Sequence, residues 1–281
     1  MRSSLISKGL LSSHIGRPIP LWVAFAAAWL VFLVLPLAIL APNAAHVSYP
    51  NEEMFYAGWS LEYIGSLIGT AIAGIASAIC VFDYAFNREA ALFNGSLPIK
   101  RSSLFATSYL AGFLPLFVIE LAVGFTFVFY SVAAFCAMLA GTKTAAYYLY
   151  LLVLLFVPLL ELVLRGIAGS CMWGVELLAE VPVALWVSPL LGMGYYTLAP
   201  CAEMWSTVSQ IGWGALLIYV GVAVALLVLA VALNKRRNLE SAGNPVVFKG
   251  LSIVARIVTG IALASLIAII TIFCLAFASA E

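Results

Sequence analysis

From Ile211 to Leu233 the chain carries no charged side chain, and Lys235, Arg236 and Arg237 follow almost at once. A helical run of that length spans the hydrocarbon thickness of a bilayer, and only a helix or a closed barrel satisfies its backbone there. Comparable apolar runs recur along the chain, separated by short polar islands, and this alternation predicts an all-α polytopic membrane protein. Composition agrees: 65% of the residues are hydrophobic and 9% charged, against roughly 25% charged in a soluble domain.

Hydropathy and punctuation predict six to seven transmembrane helices. Residues 1–20 read as an N-terminal interfacial segment, with Arg2, Lys8 and Arg17 around Leu5, Ile6, Leu10 and Leu11. Residues 21–281 read as one membrane domain. The expected spans are Leu21–Ala41, Leu61–Phe82, Leu104–Gly141, Ala145–Leu164, Cys171–Leu191, Ile211–Leu233 and Ile253–Ala278. Leu104–Gly141 is longer than one span needs and reads as a single tilted helix, kinked near Pro115. Leu21–Ala41 is too long for the apolar core of a cleaved signal peptide. Pro42–Ser60 and Gly192–Gln210 read as loops, and Arg165–Ser170 as a short turn.

Orientation follows from the basic residues. With a cytoplasmic N-terminus, twelve of the thirteen Lys and Arg fall on the inside and only Lys143 outside, a strong positive-inside bias. Both polar islands, Asn87–Ser103 and Asn234–Leu251, then face the cytoplasm. That discounts Asn94-Gly95-Ser96 as a glycosylation site.

Several chemistries lack their parts. There is no Gly-Lys dipeptide, hence no phosphate-cradling P-loop, and neither HExxH nor GxSxG occurs. Two histidines and five scattered cysteines without a CxxC offer no metal centre or disulfide framework. No basic patch outside the short loops suits nucleic acid. Acidic residues inside the predicted spans are costly in hydrocarbon and are candidates for a substrate path or proton relay. They are Glu120, Glu161 with Arg165 one turn later, and Glu176 with Glu180. The plainer reading is that Glu161 and Arg165 neutralise each other and that the rest lie near an interface or are protonated. Gly65, Gly69, Ala73 and Ser77 recur every four residues and predict a smooth stripe for close helix packing, within the chain or against another subunit.

The first island has an internal design. Arg88–Phe93 predicts about two helical turns, with Asn94-Gly95 stopping them in the left-handed conformation. Ser96 is expected to cap the next helix near Pro98. Leu92, Phe93 and Leu97 are apolar, and Arg88, Lys100 and Arg101 flank them.

This island resembles the surface elbow of ABC-2 type ABC transporter permeases. Arg88-Glu89, Leu92-Phe93 and Leu97-Pro98-Ile99-Lys100-Arg101, with Tyr109-Leu110-Ala111-Gly112 downstream, are similar to bacterial multidrug or antimicrobial-peptide exporters. Arg236-Arg237-Asn238-Leu239-Glu240-Ser241-Ala242-Gly243 with Val247-Phe248-Lys249 resembles a second segment of those permeases. The resemblance implies that the first island is a coupling helix between the second and third spans. Leu92, Phe93, Leu97 and Pro98 would dock on a separate ATPase, positioned by Arg88, Glu89, Lys100 and Arg101. It also implies partners: ABC ATPase subunits holding ATP and Mg, a second permease chain, and the lipids of a bacterial plasma membrane. The chain itself is expected to bind no cofactor and no metal, to have no catalytic residues, and to export an amphipathic peptide, drug or lipid. Many members have six spans, so seven is a departure. The other classes open are a lipid-modifying membrane enzyme, a proton-coupled carrier and a non-transporting membrane subunit.

Overall fold

The computed structural model describes residues 8–16, 18–31, 52–97, 99–120, 123–171, 188, 205–237, 243, 247 and 249–278. Among them the helices are α1 (Lys8–Gly16), α2 (Ile19–Trp29), α3 (Glu52–Val81), α4 (Arg88–Ser96), α5 (Arg101–Glu120), α6 (Val123–Leu139), α7 (Lys143–Cys171), α8 (Trp205–Arg236) and α9 (Lys249–Ala278). A 3-10 turn, Asp83–Ala85, links α3 to α4. No strand occurs among the described residues.

Three stretches there are long and apolar enough to cross a membrane: Arg101–Ile119, Lys143–Glu161 and Leu217–Arg236. Ile19–Trp29, Leu67–Val81, Phe125–Leu139 and Arg256–Ala268 are shorter apolar helical stretches. This is a helical membrane protein. The expected fifth span, Cys171–Leu191, lies almost wholly outside the described residues.

The expected single helix over Leu104–Gly141 is instead two. α5 ends at Glu120, α6 starts at Val123, and α6 packs back along α5. The register is antiparallel: the Tyr109 and Ser131 hydroxyls are 2.8 Å apart, and the Phe113 and Phe127 rings meet edge to face at 6.1 Å. Aromatics four residues apart stack up α5, with ring centroids 6.3 Å apart for Phe105–Tyr109, 6.0 Å for Tyr109–Phe113 and 5.9 Å for Phe113–Phe117. Tyr130 from α6 leans on this ladder, its ring 4.9 Å from that of Tyr109. The one polar mark of the hairpin is Glu120 at the end of α5, which in the sequence reads equally as an acid inside one long span.

α6 is the central helix and touches α3, α5, α7 and α8. Val128 to Ala134 is buried without a break, as expected of a helix apolar all round. Small residues let the backbones close on it. Gly74 of α3 has the Phe129 main chain 3.4 Å from where a Cβ would stand. At Gly112 of α5 that position falls against the Tyr130 hydroxyl, while Ser77 Oγ of α3 donates to the Gly112 carbonyl at 3.2 Å. Much of the predicted small-residue stripe is thus occupied within the chain: Ala73 and Ser77 are buried, and Gly69 faces Trp29 of α2 at 3.4 Å. Gly65 is exposed and meets nothing within 4 Å.

Other boundaries also move. α3 and α8 begin well before their apolar runs, so residues 52–60 and 205–210 are helical where loops are expected. α7 continues through Arg165–Ser170, where a turn is expected. Lys143 pairs with Asp83 at 2.6 Å, which puts the start of α7 on the same side of the bundle as the first island. At about 1.5 Å per residue, Arg165 is roughly 33 Å up the helix from Lys143. The charge count therefore changes in two compensating ways: Lys143 joins the island side and Arg165 leaves it.

Two outcomes follow from this packing. On a background freed of native cysteines, Thr142→Cys and Glu89→Cys react with an impermeant maleimide from the same membrane face; reaction from opposite faces would restore one helix over Leu104–Gly141. Gly112→Ala lowers stability by about 1–3 kcal/mol through overpacking, read as a lower thermal midpoint in detergent. Gly221→Ala, where nothing lies within 4 Å, stays within about 1 kcal/mol of wild type.

Candidate functional site

The ends of α3, α5, α6, α7 and α8 converge under α4, and the cluster is built around Arg237. A helix leaves its last four carbonyls without intrahelical donors, and a cation there also meets the negative end of the helix dipole. Arg237 uses both effects. It follows the last residue of α8 and is only 8% exposed. Its Nη1 donates to the Ala137 and Met138 carbonyls near the end of α6, at 3.4 and 3.3 Å. Its Nη2 donates to the Ala85 carbonyl of the 3-10 turn. The Arg237 carbonyl in turn accepts from Arg101 Nη1 at 2.9 Å, and Asn234 Nδ2 donates to the Arg101 carbonyl at 3.0 Å. One side chain thereby ties α8, α6 and the α3–α4 link together, and two more bonds add the start of α5. Burial pulls the Arg237 pKa down to about 10, so it stays a cation at neutral pH.

The second island is held at the same place. Gly243, at φ 97°, donates its N–H to the Gly141 carbonyl at 2.8 Å, and Val247 donates to Leu139 at 3.1 Å. Only glycine adopts that φ without strain. The Asp83–Lys143 pair is partly exposed, and exposed pairs contribute at most about 1 kcal/mol. Arg237 therefore outweighs it as the fastening.

α4 lies over this cluster. Asn87 caps it, its Oδ1 accepting from the Glu89 N–H at 3.0 Å. The helix runs past Asn94-Gly95, which stay helical, to Ser96. Ser96 Oγ donates back to the Phe93 carbonyl at 2.8 Å rather than capping α5. The stop comes from Leu97, extended at φ −66° and ψ 140°, because a residue preceding proline is driven out of the α region. α4 seats Ala91 inward and leaves Leu92 50% and Phe93 67% exposed. Arg88, Glu89 and Lys100 are exposed, and Leu97 is half-buried. Pro98 lies outside the described residues. A groove of about 640 Å³ runs between α1 and α4, lined by Leu10, His14, Val81, Phe93 and Leu97, with Asp83 and Glu89.

The acidic candidates are not part of this cluster. Glu120 ends α5 at the opposite end of the hairpin, and Glu161 is half-buried in α7, roughly 27 Å along the helix from Lys143. Arg165 lies on α7 one turn beyond Glu161, its side chain outside the described residues, as is Glu176. No group of three or more metal-ligating side chains occurs among the described residues.

Sequence reasoning treated Lys235, Arg236 and Arg237 alike, as charges flanking a span. Only Arg237 is buried. No sequence signal separates it from its neighbours, because its partners are main-chain carbonyls of distant segments.

No protein-family model, no curated protein and no solved structure matches the chain.

Removing the guanidinium strands several buried carbonyls, each costing about 1–3 kcal/mol when left unpaired. Arg237→Gln lowers unfolding stability by about 3 kcal/mol or more, whereas Lys235→Gln and Arg236→Gln, both exposed, change it by about 0.5 kcal/mol or less. Denaturant or thermal unfolding in a fixed detergent reads the difference.

Proposed function

We propose that the chain is the transmembrane permease subunit of an ATP-driven exporter of the ABC-2 type, with α4 as its coupling helix. The observation that carries this reading is the placement of α4. It is a short helix between two long apolar ones, seated on the Arg237 cluster, and it turns Leu92 and Phe93 outward beside Arg88 and Glu89. An apolar pair rimmed by charge suits docking to a soluble partner. Displacement of α4 has a short mechanical path inward, since the α3–α4 link, α5, α6 and α8 share hydrogen bonds beneath it.

In this reading two ATPase subunits hold ATP and Mg and do the hydrolysis, and this chain is not itself an enzyme. The protein sits in a bacterial plasma membrane with a cytoplasmic N-terminus and six to seven crossings. A second permease chain, identical or different, completes the path. An amphipathic peptide, drug or lipid passes as nucleotide-driven docking shifts the balance between inward-open and outward-open forms. The lopsided distribution of basic residues toward the island side supports that orientation.

The test is capture of a P-loop ATPase with the tagged, membrane-extracted chain from its native cells. Leu92→Asp or Phe93→Asp, at exposed positions that leave the fold intact, reduces capture at least tenfold. Equal capture by wild type and both variants, or a chain that transports without nucleotide, would sink the proposal.

A further inference from the structure

A small cavity of about 50 Å³ opens directly under α4, between the two arginines of the cluster. Arg101 and Arg237 line it together with Asn94 of α4, Asn234 of α8 and Tyr84 of the 3-10 turn. By volume it accommodates on the order of three or four water-sized groups, which suits a single tetrahedral oxyanion and is too small for a sugar or a base.

The charge around it is unbalanced. Buried Arg237 and solvent-exposed Arg101 bring two positive charges, the second partly screened by water, and the N-terminus of α5 adds about half of one. Against them stand the C-terminal ends of α6 and α8, about half a negative charge each, and the weaker end of α4. About one positive charge is left over, and no carboxylate among the described residues lines the cavity. The nearer acids lie elsewhere: Asp83 pairs with Lys143, and Glu89 is exposed in the first turn of α4.

The polar groups also have donors to spare. Three carbonyls do not exhaust the five N–H donors of Arg237, and Arg101 spends only one nitrogen on the Arg237 carbonyl. The Tyr84 hydroxyl is buried at the cavity, with Ser108 beside it. The cavity lies level with the ends of α5 and α8, where Lys100, Lys235 and Arg236 are exposed. That is the depth at which lipid phosphates meet a membrane protein.

We propose that this cavity binds one phosphate group, held by Arg101 and Arg237 with Asn94 and Asn234, and that the bound phosphate braces α4 against the helix bundle. The inference rests on the cavity and its charges and stands whether or not α4 couples to an ATPase. The phosphate comes from an anionic lipid headgroup or from solution, and the two sources share the recognition chemistry.

The experiment uses the full chain. Thermal midpoints are measured in detergent with inorganic phosphate against chloride at equal ionic strength. They are measured again in nanodiscs of phosphatidylglycerol with phosphatidylcholine against phosphatidylcholine alone. The wild type is stabilised in at least one arm. Stabilisation by both probes assigns the phosphate group itself, by phosphatidylglycerol alone a lipid headgroup, and by inorganic phosphate alone a soluble ligand; each supports the site. Arg101→Gln weakens the effective probe about tenfold, the expected loss of one charge-assisted contact. Arg88→Gln removes the same charge from the far end of α4 and leaves the response within twofold. Arg237→Gln is avoided as the principal variant because it also unfastens the fold; Asn94→Ala replaces it and weakens binding at least threefold. No stabilisation in either arm, or equal losses for Arg88→Gln and Arg101→Gln, would overturn the site in favour of diffuse surface attraction.

Discussion

A guanidinium withdrawn from water must be hydrogen-bonded where water has left it, and Arg237 meets that demand with main-chain carbonyls of two other segments. The arrangement is economical because those carbonyls need donors as well. The last turn of α6 cannot satisfy its own acceptors, and Ala85 belongs to a turn that ends at once. One cation therefore settles two deficits, and it does so with partners 99 and 152 residues away in the chain. The same residue offers its own carbonyl to Arg101, so the start of α5 is fixed against the end of α8. Without this fastening the helices would still be apolar and long, but their ends would lose the bonds that set α8, α6 and the α3–α4 link at one height.

Above that fastening the bundle is organised by α6. Apolar surface does not drive helices together within hydrocarbon as it does in water, so fit decides association. Gly74 and Gly112 let α3 and α5 come close, Ser77 bonds across at the same level, and the aromatic ladder of α5 receives Tyr130. The tight spot at Gly112 joins three helices in one contact. A methyl group there would push against Tyr130 and Ser77 at once.

α4 differs from the long helices in its length and in its charged rim: it seats Ala91 inward and exposes Leu92 and Phe93 beside Arg88 and Glu89. It also rests on Arg237, the one charged side chain buried among the described residues. A helix with exposed apolar side chains above a polar, cavity-bearing support is arranged to be moved or held.

The sequence by itself determined the class of the protein, the existence of the long apolar helices and the lopsided charge, because hydrocarbon thickness and burial cost act on each segment separately. It also located α4 and its outward residues, though it misjudged what ends the helix: Leu97 is constrained by Pro98, while Asn94-Gly95 remain helical. Only the tertiary structure decided that Leu104–Gly141 folds back on itself, because a turn marked by the single charge of Glu120 between apolar arms reads equally as an acid inside one long helix. The same holds for Arg237. Lys235 and Arg236 stay in solvent while the next residue goes inside, and what selects it is the position of carbonyls contributed by α6 and the α3–α4 link. Local chemistry fixed which segments become helices; partners distant in the chain fixed which charge is buried and where each helix stops.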